Sequence, residues 1–284
     1  MKKKNQKSML LLAVLLLTAC EKVVLDDDGG THLRFIPTTA DTRGTVSIGD
    51  YFSRLAVQLF DKDGNKVFIQ SKTQTRDDDD FGTLNVELKA GTYTVVAVGH
   101  SSPVTPTIKS TELVQFTARN GVKNSDTFCH YGTVTIDEDG GYHELRMNRM
   151  TAMITFEFTD AAMPDNYAGL KIDYTGGSAN FNPSTAEGCT KSNQSETREN
   201  RATQYQVFTF PYLSADGKLK VTLTALNKDQ NVLTTKVLSN VPVTRNRITR
   251  CTGDLFNDGD FKIHQTAFGI TVNPDWDGIT NYQF

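Results

Sequence analysis

This chain of 284 residues lacks an apolar run long enough to cross a membrane as a helix. Its longest run, residues 9–17, is about half of the ~20 residues that a spanning helix needs. The run follows four lysines within residues 2–7 and ends at Thr18 and Ala19, which is the pattern of a cleaved secretory signal. Residues 1–19 are therefore predicted to be a signal peptide.

The chain also lacks an excess of positive charge. The net charge is −3, and removing residues 1–19 takes away four lysines and no acidic residue, which leaves −7. This balance argues against a nucleic-acid partner. The remaining 265 residues, 284 less 19, suffice for one large or two modest domains.

Cysteine is scarce, and its spacing does not suit a metal site. Beyond the signal peptide the chain has Cys20, and after it Cys129, Cys189 and Cys251. The last three can form at most one disulfide, so one thiol at least stays free. We expect all three to be small buried apolar residues.

Motifs of catalysis and of metal binding are missing. No nucleophile elbow, phosphate loop or H-E-x-x-H spacing occurs. The run Asp77–Asp80 is predicted to be a solvated loop, because adjacent carboxylates repel one another and point to opposite sides of an extended chain. Residues 61–65 begin like a calcium-binding loop, but Lys66 stands at its glycine position. We expect no enzymatic activity, no cofactor and no metal, although a zinc site built from distant residues stays open for the five histidines, His32, His100, His130, His143 and His264.

Cys20 ends a short motif, Leu17-Thr18-Ala19-Cys20, that resembles the bacterial lipobox. In a lipobox the cysteine thiol is acylated and becomes the mature N-terminus, and two or more acyl chains hold a protein on a membrane durably. The alternative is a coincidental cysteine in an ordinary secretory signal. Residues 20–30 are acidic and end in two glycines, so they are predicted to be a flexible linker. They also resemble a surface-export signal of some Gram-negative lipoproteins, and a plain solvated linker is the other interpretation.

From residue 31 onward, short alternating segments separated by turn clusters predict an all-β protein of antiparallel sheets. Helical periodicity is missing, so helices should be few and short. The clearest strands are 55–60, 84–88, 93–98, 133–136, 154–158, 207–210, 219–223 and 236–238. We place an N-terminal β-sandwich domain at 31–148 and a C-terminal one at 149–284.

Two further features concern the organisation of the body. Residues 57–65 and 223–231 have similar sequences, each a strand that runs into a polar turn, and this gives weak support to a duplicated sandwich. Residues 101–124 and 176–201 are rich in Ser, Thr, Asn and Gly, and we predict surface loops there. Trp276, the only tryptophan, could stack on a sugar, but packing at a domain rim is the more common role.

Several of these features together resemble the fimbrillin-associated anchor proteins of type V fimbriae. They are the lipobox, Asp41-Thr42-Arg43 after the first strand, the stretches at 149–156 and 243–255, and the terminal tryptophan strand. The resemblance implies two tandem transthyretin-like sandwiches, held by lipid at or near the base of a fimbria. It also implies partners that are fimbrillin-type sandwich subunits joined by strand exchange, in which a strand of one chain fills an open edge of another.

The resemblance further implies a candidate protease site at Arg43, because an arginine-specific protease removes the first strand of the related shaft proteins. Cleavage there would separate the body from Cys20, so an anchor should keep this bond and a shaft or tip subunit should lose it. An uncleaved loop arginine is the other interpretation. The sequence thus favours a lipid-anchored fimbrial subunit at the outer membrane, with a surface polysaccharide-binding lipoprotein that uses Trp276 as the alternative and a hydrolase as the last hypothesis.

Overall fold

A computed structural model describes residues 30–37, 47–69, 72–116, 124–212, 217–264 and 279–280. Within these ranges the only helical segment is a 3-10 turn at Ile48–Asp50. The rest of the regular structure is strand, which confirms the all-β prediction.

Twenty-one strands follow one another along the described chain. The first ten are β1 (Thr31–Pro37), β2 (Arg54–Phe60), β3 (Lys66–Val67), β4 (Thr73–Thr75), β5 (Thr83–Val86), β6 (Gly91–His100), β7 (Thr107–Ser110), β8 (Leu113–Gln115), β9 (Thr127–Ile136) and β10 (Gly141–Arg149). The others are β11 (Ala152–Phe158), β12 (Gly169–Ser178), β13 (Asn180–Asn182), β14 (Glu187–Gly188), β15 (Lys191–Arg198), β16 (Gln204–Thr209), β17 (Lys218–Leu226), β18 (Val232–Pro242), β19 (Ile248–Gly253), β20 (Lys262–His264) and β21 (Ile279–Thr280).

The first sandwich consists of β1–β6, β9 and β10 in two layers. One layer has the order β3-β2-β6-β9, with β4 also beside β2, and the other has the order β10-β1-β5. The layers join where the end of β10 pairs with β9, at Asn148 opposite Cys129 and Arg149 opposite Phe128. Alternate residues of each strand point inward, as the period of two requires, and they form one core.

The second sandwich, built from β11, β12 and β15–β21, repeats this arrangement. Its layers have the orders β15-β12-β17-β18 and β16-β11-β19-β20, with β21 also beside β19. Taken in chain order, β11, β12, β16, β17, β18 and β19 occupy the places of β1, β2, β5, β6, β9 and β10. A separate core fills the space between the layers. The fold is therefore two β-sandwiches of the same topology, while the transthyretin-like assignment and the independent folding of 31–148 and 149–284 stay predictions.

The prediction of purely antiparallel sheets needs a correction. β1 runs parallel to β10 over seven residue pairs, and β11 runs parallel to β19 over six. A parallel partner cannot be reached through a tight turn. Each of these pairs joins the first strand of a sandwich to its last long strand, so no local pattern in the sequence could indicate it.

The prediction of surface loops at 101–124 and 176–201 is wrong for the described part of both segments. β7 and β8 lie in the first, and β13, β14 and β15 lie in the second. β8 pairs with β13, which makes a central sheet in the order β14-β13-β8-β7. Polar residues are tolerated in these strands because antiparallel sheets can leave one face in water.

Beneath the central sheet lies a third apolar core that joins the two sandwiches. It includes Val96 and Val98 from the outer face of β6, and Phe116, Phe181 and Phe210 from the segments around the central sheet. The Phe116 and Phe210 rings stack with centroids 5.7 Å apart, and Phe181 lies 4.9 Å from Phe210. The two long polar segments therefore bind each other and cover the apolar outer face of the first sandwich.

The similar sequences at 57–65 and 223–231 form the same loop. In the first copy, Asp61 Oδ1 accepts hydrogen bonds from the amides of Asp63 and Asn65, each at 2.9 Å. In the second, Asn227 Oδ1 accepts from the amides of Asp229 at 2.9 Å and Asn231 at 2.8 Å. The loops are not equivalent in the duplication, however, because they connect β2 to β3 in one sandwich and β17 to β18 in the other. The topology is thus repeated in the two sandwiches, but this sequence similarity does not align the repeats, and duplication stays a prediction.

These two loops carry different residues at one position where the backbone φ is positive. Exchanging the residues at that position tests the cost of a positive φ in both loops. Gly64 has φ +79°, and Gln230 takes the same place with φ +62°. The left-handed region disfavours a residue with a Cβ, so we expect Gln230→Gly to raise the free energy of unfolding by about 1 kcal/mol. Gly64→Gln should lower it by a similar amount, since a Cβ at Gly64 meets no other atom within 4 Å. Urea denaturation of the two variants tests this, and equal signs for both changes would contradict it.

Candidate interaction edges and the junction between the sandwiches

The three residues predicted to carry lipidation, processing and glycan contact lie outside the described residues. They are Cys20, Arg43 and Trp276. Their roles therefore stay predictions, and the site described below is built from other side chains.

The three cysteines of the body are free thiols. Cys129 and Cys251 are buried, as predicted, and burial raises the pKa of Cys251 to about 12, so its thiolate is rare at neutral pH. Cys189 is exposed, which corrects the prediction that all three are buried. It lies between the short strand β14 and β15, where the chain turns at the surface.

A buried ion pair fixes the junction between the sandwiches. Arg149 Nε donates to both carboxylate oxygens of Asp126, at 3.0 and 2.9 Å. Its guanidinium carbon lies 4.7 Å from the centroid of the Phe128 ring, and Nη1 donates to Asn246 Oδ1 at 3.1 Å. The Arg149 side chain is only 3% exposed, so water screens this charge poorly.

The same group links four chain segments. Thr151 Oγ1 donates to Asp126 Oδ1 at 2.8 Å, and the Asn246 amide donates to the Thr151 carbonyl at 2.8 Å. Asp126 precedes β9, Arg149 ends β10, Thr151 precedes β11, and Asn246 lies in the turn before β19. The sequence stretches at 149–156 and 243–255 therefore meet here. The sequence alone points to both stretches but not to Asp126, because only the fold brings Asp126 next to Arg149 and Thr151.

The edge strand β16 of the second sandwich is partly closed by polar side chains. Glu196 is 2% exposed and accepts a hydrogen bond from the Tyr174 hydroxyl at 2.7 Å. Arg198 Nη2 donates to Glu196 at 2.6 Å and to the main-chain carbonyl of Gln206, in β16, at 3.0 Å. Burial, and then the Glu196 charge, raise the pKa of Tyr174 well above its usual value, so its hydroxyl keeps its proton. A side chain on an edge carbonyl hinders another strand from pairing there.

β18 is different, because it is the longest edge strand in the described part of the chain. It has 11 residues and pairs with β17 alone among the described strands. Its counterpart β9 pairs on both sides, with β6 and with β10. Two of its valines are largely exposed, Val232 at 63% and Val237 at 56%. A long edge with exposed apolar residues is a place where another strand can add.

The first strand of the body, β1, is hydrogen-bonded to a neighbouring strand on each side. β1 lies between β10 and β5, and its residues Leu33 and Phe35 are 0% and 2% exposed. Cleavage after Arg43 would break the chain beyond β1 but would leave these pairings in place. Separation of the body from Cys20 by this cut would therefore also require β1 to leave the sheet, and the cleavage itself stays a prediction.

The described residues contain no group of three or more His, Cys, Asp or Glu side chains arranged to hold a metal ion. They also contain no helix with the length and apolar character needed to cross a membrane. The run Asp77–Asp80 is exposed, which confirms the prediction of a solvated loop there.

Most of the chain matches one protein family. Residues 31–283 match the model of a family of unknown function, DUF6562. The chain belongs to the DUF6562 family. The matched region begins at the first residue of β1, so the predicted signal peptide lies outside the part that the DUF6562 model covers. No curated protein matches the chain.

Solved structures share the fold of this DUF6562 member. A candidate polysaccharide-binding protein from Bacteroides thetaiotaomicron has a TM-score of 0.53 at 11% identity, covering 82% of this chain and 95% of that chain. A candidate cell adhesion protein from Bacteroides ovatus has a TM-score of 0.51 at 13% identity, covering 86% and 99%. The fimbrial anchor protein Mfa2 from Porphyromonas gingivalis has a TM-score of 0.41 at 17% identity, covering 83% of this chain and 95% of that chain. At these identities the first two likenesses show a common fold and no more.

Proposed function

We propose that this protein is a lipid-anchored structural subunit of a cell-surface fimbria, which attaches or terminates the polymer at the outer membrane. Acyl chains on Cys20 hold it to the membrane, and β18 receives a strand from a sandwich subunit of the fimbrillin type. The proposal includes no enzymatic activity and no cofactor. It predicts that the bond after Arg43 stays intact, because cleavage there is expected only of a shaft or tip subunit.

The open edge of β18 is the observation that carries the proposal. Strand addition supplies partners for the main-chain N–H and C=O groups of an edge, and alternate side chains then decide which strand fits. β16 is capped by Arg198, and the other edge strands of the described chain are shorter than β18. β18 thus offers the largest unpaired edge among the described residues.

Two further observations support the surface location. The lipobox-like motif ending at Cys20 stands before an acidic linker, which gives the body reach from a membrane. The two-sandwich fold is also that of a candidate cell adhesion protein. The polysaccharide-binding alternative depends on Trp276, which lies outside the described residues, and stays a prediction.

A charge placed on the open edge should block partner binding. Val237 is exposed and lies opposite Thr222 of β17. A lysine on an edge strand opposes strand addition, so we expect Val237→Lys to reduce capture of sandwich subunits from detergent-solubilised outer membranes about tenfold, the factor for 1.4 kcal/mol. Thr222→Lys is the matched control, because it adds the same charge one strand away from the edge. Equal capture by both variants would exclude β18 as the binding edge.

Removal of the lipidated thiol should release the protein from the membrane. We expect Cys20→Ser to move the protein from the outer-membrane fraction to the soluble fraction and to abolish incorporation of labelled palmitate, since no acyl chain can then be attached. Cys189→Ser is the control, because it removes the exposed thiol of the body. Persistent membrane association of the Cys20→Ser protein would disprove the lipid anchor.

A further inference from the structure

The parallel strand pairs determine the direction in which a pulling force loads the hydrogen bonds of each sandwich. In the first sandwich, Thr31 lies opposite Gly141 and Pro37 opposite Met147, so β1 and β10 start at the same end. A force that enters before β1 and leaves after β10 pulls the two strands in opposite directions along their own axes. All the hydrogen bonds between β1 and β10 are then loaded together. If instead the first residues of the two strands were pulled apart, the bonds would be loaded one at a time.

The second sandwich has the same geometry. β11 and β19 are parallel, from Met153 opposite Ile248 to Phe158 opposite Gly253. β10 ends at Arg149 and β11 begins at Ala152, so a load leaving the first pair enters the second almost directly. Under a load applied between the two termini, the two parallel pairs therefore stand in series along the chain.

Packing adds to the resistance of both pairs. Sliding β1 along β10 would move Leu33 and Phe35 through the core of the first sandwich, and sliding β11 along β19 would move Ile154 and Phe156, both 0% exposed, through the second. A close-packed core resists such movement because its side chains interdigitate. The ion pair between Arg149 and Asp126 holds the point at which the load passes from one sandwich to the other.

We propose that this protein is a load-bearing link, in which the first sandwich carries tension in shear between β1 and β10. This rests on the proposed function for the origin of the load, a membrane on the Cys20 side and a partner bound at β18 of the second sandwich on the other. The mechanical property itself depends only on the fold. The short strands β21 and β20 follow β19 in the chain and pair with it over two and three residues, so they should detach first without affecting the main barrier.

Single-molecule pulling of one purified protein in two directions tests the proposal. The full chain with Cys20→Ser receives three different attachment tags, at the N-terminus, between Glu138 and Asp139 in the turn before β10, and at the C-terminus. Pulling between the termini loads β1 and β10 in shear. Pulling between the N-terminus and the turn draws Thr31 away from Gly141 and peels the same strands apart.

We expect the rupture force of the first sandwich to be at least about twofold higher between the termini, because the hydrogen bonds of the parallel ladder share the load. The molecule is the same in both directions, so a difference in stability cannot produce this result. An equal or lower force between the termini would overturn the proposal. The measurement uses no membrane and no partner, so failure of the lipid anchor or of the β18 edge would leave its outcome unchanged.

Discussion

Replacing Asp126 by alanine is expected to lower the free energy of unfolding by about 3–5 kcal/mol, the usual effect of removing one member of a buried ion pair. The change takes both carboxylate oxygens away from the Arg149 guanidinium, which is 3% exposed and cannot turn freely to water. It also removes the acceptor for the Thr151 hydroxyl. Urea denaturation at neutral pH measures the loss.

Two controls separate the ion pair from general damage. Adding Arg149→Met to Asp126→Ala should restore most of the loss, because an apolar side chain of similar length has no charge that needs a partner. Lys171→Ala breaks an exposed pair with Asp173, 2.9 Å apart, and should lower the free energy of unfolding by less than about 1 kcal/mol. A double variant as unstable as Asp126→Ala alone would show that the charge is not the cause.

Stability is also expected to fall by about 3 kcal/mol between pH 6.5 and pH 4 because of one histidine, at 1.36 kcal/mol for each pH unit between its two pKa values. His100 is fully buried, with its ring against Phe116 at 5.5 Å. Burial, and then the charge of Arg54, lower the pKa of His100 from 6.5 to about 4, against a smaller opposing effect of the Ser102 backbone. The unfolded chain therefore binds a proton between these pH values that the folded chain does not, and stability present above pH 6.5 is lost as the pH falls.

Chemical denaturation at several pH values checks this expectation. His100→Leu keeps an apolar group in the pocket and should flatten the dependence between pH 6.5 and pH 4. His143→Leu, which removes a half-buried imidazole from β10, should leave the His100 contribution in place. If the His100→Leu protein loses stability over this range as steeply as the unaltered chain, another group is responsible.

Particular elements illustrate what the sequence could predict. Alternation at residues 55–60 and 154–158 placed β2 and β11, because the side-chain period of a strand is local and needs no knowledge of its neighbours. The turn signal of Asp139-Gly140-Gly141 is equally local, and Gly140 has φ +77°. Residues 89–91 also contain a turn glycine, but they join β5 and β6 in opposite layers. A turn signal marks where a strand ends and does not reveal which strand lies beside it.

The candidate site was much less predictable. Arg149 and Asn246 are 97 residues apart, and the polar stretch at 191–198 has the composition of a loop until its pairing with β12 is known. Buried polar residues such as Glu196 give no sequence signal, since their role depends on partners from other strands. The lipobox-like motif at Cys20, by contrast, can be predicted from the sequence, because it consists of consecutive residues.

The sequence by itself determined the all-β class and predicts the secretory signal and the lipid anchor, since each depends on neighbouring residues or on a period of two. Only the tertiary structure decided that β1 runs parallel to β10 and β11 to β19, that Asp126 faces Arg149, and that β18 keeps an edge unpaired among the described strands. These are long-range outcomes, fixed by which apolar faces pack together and by which hydrogen-bonding groups then remain at the rim of a sheet.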